Sequence, residues 1–129
     1  MNENETPITR PEDGIMTCAE FRCLRMRMGL TAQWFAEHIH VSLISVQRWE
    51  RCRRPSEMAV REILELKKRF DAEVADLAEH GGVDIAVPRS GRTLDGCDMP
   101  VGWYQMVAQA VSELRPARIV FREGEGEDD

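Results

Sequence analysis

The chain has 129 residues, a formal net charge of −6 at pH 7 and a pI of about 5.1. Its 43% hydrophobic and 31% charged content is that of an ordinary globular protein, about one domain long. No apolar run approaches the roughly 18 residues needed to span a bilayer, and residues 1–14 lack the basic and apolar regions of a signal peptide, so a cytoplasmic location is expected.

The charge is divided unevenly. Residues 15–70 hold eleven Lys/Arg against six Asp/Glu, whereas residues 1–14 and 123–129 are acidic and read as flexible tails. A basic segment between acidic ends leaves a polyanion partner open, because the local field at a docking face matters more than the total. The four cysteines (Cys18, Cys23, Cys52, Cys97) show no CxxC and no disulfide or zinc-ribbon spacing. A metal site from His38, His40, Cys52 and His80 is set aside, since histidines two apart at a helix end point in different directions. No metal and no cofactor are expected.

In chain order, Thr17 and Glu20 form a capping box that starts a helix ending at Gly29, with Phe21, Leu24 and Met28 on one face. Met26 and Met28 are both assigned to packing. Thr31 caps a second helix, 32–39, turning Phe35, Ala36 and Ile39 inward, with Trp34 partly in the core. Ser42 caps a third, 43–51, with Val46 and Trp49 on its inner face. A long amphipathic helix runs from about 57 to 79, stopped by His80-Gly81-Gly82, its second half a connector or subunit contact. Then come a β-like run at 83–88, a loop, a helix from Pro100 to about Leu114, and a second β-like run at 117–122. Two short strands and one helix bury no core alone, so this piece must pack on the long helix or on a second copy. The expected fold is mainly α: a helix-turn-helix domain over 15–80 and a small α/β dimerisation module over 81–122.

Three helices joined by connections of two or three residues describe a helix-turn-helix, in which the N-terminal part of the third helix faces base edges in the major groove. Ala36 sits where the second and third helices cross, and Val41 plugs the turn. The run Leu30-Thr31, Phe35-Ala36, Ile39, Val41-Ser42, Ser45-Val46, Arg48-Trp49-Glu50-Arg51, Arg54-Pro55 resembles the Cro/C1-type (XRE) repressor motif over about 40 residues. His40 and Cys52 depart from it, each standing where glycine is usual, and a histidine adopts the left-handed conformation at some cost. The whole layout is similar to YdiL-like and phage anti-CRISPR-associated autorepressors, with "PVGWYQMVAQAVSELRPARIVF" matching the helix and strand of their dimerisation domain. The resemblance implies a lambda-repressor-like domain of the five-helix type.

It further implies that Ser42, Leu43, Ile44, Gln47 and Arg48 face the groove. Arg48 suits a guanine and Gln47 an adenine, while Leu43 and Ile44 are either thymine-methyl or sugar contacts or a partly buried helix edge. Arg51, Arg53 and Arg54, with Thr31 and Gln33, are expected at phosphates, against the alternative of a solvated face. Arg25 and Glu50 resemble the family's structural ion pair between the first and third helices. Trp103, Tyr104, Val107, Val111, Ile119 and Phe121 are expected at a dimer interface, with the C-terminal core as the alternative for the two rings.

The function expected is a homodimeric, sequence-specific DNA-binding regulator, an (auto)repressor on an inverted repeat. An antitoxin-like module with a protein partner is the alternative, and RNA binding a third. No hydrolase elbow, P-loop, HExxH or Cys/His nucleophile pair suggests an enzyme.

Overall fold

The computed structural model describes residues 15–89 and 99–125. Tail residues 1–14 and 126–129, the loop at 90–98 and Cys97 lie outside the described residues. Within them the chain is mainly helical, with five helices and one two-stranded parallel sheet.

Each of the first four helices starts where a hydroxyl accepts from an amide of the first turn. Helix α1 (Cys18–Arg27) opens with the capping box: the Glu20 amide donates to Thr17 Oγ1 and the Thr17 amide to the Glu20 carboxylate, both at 3.0 Å. Gly29, at φ 70°, turns the chain. Helix α2 (Ala32–His38) follows Thr31 and helix α3 (Leu43–Trp49) follows Ser42, each ending one or two residues earlier than expected. Between them His40 stands at φ 60°, the only non-glycine with positive φ among the described residues, and the Val41 amide donates to the Ala36 carbonyl at 2.9 Å. The left-handed position is thus held by histidine itself, at a conformational cost glycine would avoid.

Helix α4 (Glu57–His80), capped by Ser56, runs for 24 residues and buries Ala59, Val60, Ile63, Leu66, Phe70 and Val74. Strand β1 (Asp84–Val87), helix α5 (Val101–Leu114) and strand β2 (Arg118–Phe121) form a β-α-β unit whose strands pair in parallel, Ile85 opposite Ile119 and Val87 opposite Phe121. Helix α5 packs against α4 and against both strands.

One hydrophobic core runs without a break from Met16 in the first segment to Val111 in α5. The change at residue 80 is a turn in the chain, and α4 serves both sides of it. Phe70 of α4 meets Trp103 edge-on, with centroids 5.1 Å apart, and Trp103 Nε1 donates to the Glu73 carboxylate at 2.7 Å. The Arg115 guanidinium closes the far end, donating to the carbonyls of Leu77, Ala78, Gly81 and Gly82 at 2.8–3.2 Å. These include carbonyls that a helix C-terminus leaves without intrahelical donors. At the near end the backbones of Gly29 and Gly102 touch: a Cβ on Gly102 would lie 2.2 Å from the Gly29 carbonyl oxygen.

Several expectations need correction. Residues 15–80 supply four helices, and the fifth comes after β1, so no five-helix unit forms within the N-terminal segment. The second half of α4 is not a bare connector, because it buries Phe70 and Val74 and packs on α5 of the same subunit. Trp103, Val107 and Val111 are buried within the subunit, at 0%, 5% and 0% exposure, so the expected dimer contacts at these three are core contacts. Met26 is 54% exposed and does not pack. Residues 123–125, expected to open a flexible tail, are tied to the strands: Arg89 donates to the Gly124 carbonyl, and the Phe121 amide donates to the Glu125 carboxylate at 2.5 Å.

Candidate nucleic-acid interface

Helix α3 has two unlike faces. Inward, Val46 is fully buried and Trp49, half-buried, lies edge-on to Phe21 with centroids 6.1 Å apart. Outward, Ile44, Gln47 and Arg48 are exposed and, with Arg51 beyond the helix end, follow the i, i+3, i+4, i+7 spacing of a single stripe. A shallow depression of about 230 Å³ runs along this stripe, lined by Ile44, Gln47, Arg48, Arg51 and Cys52. Leu43 is half-buried, so of the two apolar residues left open by the sequence, Ile44 is the one presented outward.

The caps that shape α2 and α3 use up side chains expected to touch a ligand. Ser42 Oγ accepts from the Ser45 amide at 3.1 Å and lies 3.0 Å from Ser45 Oγ. Thr31 Oγ1 accepts from the Trp34 amide at 3.0 Å, and Gln33 Nε2 donates to the Glu37 carboxylate at 2.8 Å. All three are exposed, but each is already engaged within its own helix.

Just past α3 the chain folds back on itself. The amides of Cys52 and Arg53 both donate to the Arg48 carbonyl, at 3.0 and 2.9 Å, and Cys52 needs no positive φ. Arg51, Arg53 and Arg54 are exposed in this turn. Among the described residues none forms an ion pair with them or with Arg48. Four guanidinium groups within seven residues therefore present their charge to solvent.

The helices are locked by Arg25 and Glu50. Arg25 Nε and Nη2 donate to the two Glu50 oxygens at 2.6 and 2.8 Å, and Nη1 donates to the Leu30 carbonyl at 2.7 Å. Their side chains are 12% and 6% exposed. The bidentate fork ties α1 to the end of α3 and fixes the tilt of the outward stripe. Sequence reasoning missed Arg22, which lines a second depression with Gln47 and Arg51 and extends the basic surface from α1. Its signal was the one-turn spacing from Arg25.

Elsewhere, His38 stacks on Trp34 with centroids 4.7 Å apart, and His80 Nδ1 lies 3.1 Å from the Asp76 carboxylate. Among the described residues no three His, Cys, Asp or Glu side chains are grouped to hold a metal, and no helix is long and apolar enough to cross a membrane. Of the remaining expected dimer residues, Tyr104, Ile119 and Phe121 are half-buried. Arg122 lies over the Tyr104 ring and Arg89 over the Phe121 ring, at 5.3 and 4.5 Å. Leu114, at the other end of α5 from Tyr104, is 66% exposed. Asp84 and Arg118 bridge the strand starts at 2.9 Å, and this hydrogen bond holds the Asp84 carboxyl below its usual range.

Searches against protein-family models, curated proteins and solved structures found no match to this chain.

Proposed function

We propose that the protein is a sequence-specific DNA-binding regulator that inserts α3 into the major groove. The observation that carries this reading is the outward stripe of Ile44, Gln47 and Arg48 on a rigidly held helix, flanked by three solvent-facing arginines. An α-helix fits the major groove, where a guanidinium recognises guanine and a carboxamide recognises adenine, each worth about 1–3 kcal/mol of discrimination. Arg51, Arg53 and Arg54 follow the end of α3, where phosphates pass a helix so placed, while Thr31 and Gln33, engaged in hydrogen bonds of their own, leave the backbone amides at the start of α2 as the further phosphate contact.

One such helix makes too few contacts for tight specific binding, and a two-fold pair doubles them. The proposed state is thus a homodimer on an inverted repeat, acting as a repressor by occupying a promoter. Tyr104, Ile119 and Phe121 remain as the pairing surface once the buried residues are removed from the expected set. The antitoxin-like alternative expects a C-terminal half that orders only on a partner. The burial of Trp103 against α4 favours the regulator. Selection from a random-duplex pool tests the reading: it should return an inverted repeat with half-site centres about 10 base pairs, one duplex turn, apart. Recovery of unrelated sequences would overturn it.

A further inference from the structure

Ile44 is 60% exposed, one of four large apolar side chains more than half exposed among the described residues. The others lie elsewhere: Met26 on α1, Val83 in the connection before β1 and Leu114 at the end of α5. Ile44 sits on the outward stripe of α3 itself, one turn before Gln47 and Arg48 and in one depression with Arg51. Packing does not account for it, since the inward face of α3 is filled by Val46 and Trp49. Helix propensity does not either, because straight-chain residues suit an exposed helical position at least as well as a β-branched one. What isoleucine supplies is a stiff apolar surface: in a helix its first side-chain torsion is held to one strongly preferred rotamer.

The base edges of the major groove carry one apolar group, the C5 methyl of thymine. Resting on the reading of α3 as the groove-facing helix, we infer that Ile44 is a specificity-determining residue that selects a thymine by packing against its methyl. Gln47 and Arg48, one turn further on, hydrogen-bond to neighbouring bases. Leu43, half-buried at the start of the helix, presents less apolar surface outward than Ile44. The chemistry is contact and desolvation only: a cytosine or a uracil at that place offers no methyl, and the isoleucine then faces a polar edge or water.

The test uses the full-length protein and the operator recovered by selection. Each thymine is replaced in turn by deoxyuridine, which keeps the pairing and removes only the methyl. Wild-type binding should weaken at one thymine per half-site, about fourfold for one half-site and about fifteenfold for both, as expected for loss of one buried methyl each. Ile44→Ala should bind the thymine and deoxyuridine operators equally at that place while keeping its response at every other position. Because Ile44 is exposed, this variant should fold as the wild type does, which its circular dichroism and melting temperature check. Uniform wild-type binding to all deoxyuridine operators, or an unchanged loss in Ile44→Ala, would overturn the inference while leaving the DNA-binding reading intact. Failure to select any sequence would overturn both.

Discussion

Gly102→Ala gives a test of the fold in which two simple arguments predict opposite signs. Gly102 lies in the first turn of α5, and in an isolated helix alanine is favoured over glycine by about 1 kcal/mol. Here the added Cβ would lie 2.2 Å from the Gly29 carbonyl oxygen and 3.1 Å from its carbon, both backbone atoms. That turn cannot easily retreat: Gly29 is held at φ 70° between the buried Met28 and Leu30, and Arg25 grips the Leu30 carbonyl. Moving α5 instead would drag the fully buried Trp103. Overpacking of this kind costs about 1–3 kcal/mol, and with rigid backbone on both sides the upper end applies. Subtracting the helix gain leaves a net loss of about 2 kcal/mol, or about 8 °C in melting temperature for a chain of this size. Urea unfolding of Gly102→Ala beside Gly82→Ala measures it. Gly82 has nothing within 4 Å and no positive φ, so its substitution should be neutral or stabilise by about 0.5 kcal/mol. A Gly102→Ala protein as stable as wild type would refute the close packing of α5 on the α1–α2 turn.

Arg25→Ala strands the Glu50 carboxylate, which is only 6% exposed, and should cost about 3 kcal/mol in urea unfolding; Arg25→Met with Glu50→Leu should recover much of it. The Asp84 carboxyl, with its pKa lowered by the Arg118 hydrogen bond, adds stability above the ordinary carboxylate range that is lost as pH falls through the lowered value. Its NMR titration should have a midpoint below that of a free aspartate, and Arg118→Ala should return it to the ordinary value. Arg53→Gln with Arg54→Gln should weaken binding evenly across sequences and reduce the slope of log K against log salt by about 2.

What the sequence revealed was what local chemistry determines. Thr17, Thr31 and Ser42 each sit before an apolar helical pattern, and their caps appear where the spacing put them. Val46 and Ala36 were readable as inward because a short helix between short connections has one face to bury. The ends of α2 and α3 were overrun because a last turn that closes on its own carbonyls leaves no mark in residue type. Trp103 was left open between dimer interface and core for a different reason. An amphipathic helix shows that a face is covered, and not whether Phe70 of the same chain or a second copy covers it. The Gly29–Gly102 contact and the Arg115 clamp join residues more than thirty positions apart, which no periodicity encodes. At the candidate site, Gln47 and Arg48 were named only through the family resemblance, and their outward exposure is what the structure adds; Ile44 and Leu43 were separated only by their exposure.

The central claim is that the outward stripe of α3 reads base edges. Its most direct measurement is the affinity of wild type and Arg48→Ala for every single-base variant of the selected operator. Arg48→Ala should lose discrimination at one base pair per half-site, by about 1–3 kcal/mol, and keep the wild-type profile elsewhere. A variant that retains the full wild-type profile, or loses affinity equally for every sequence, would contradict it.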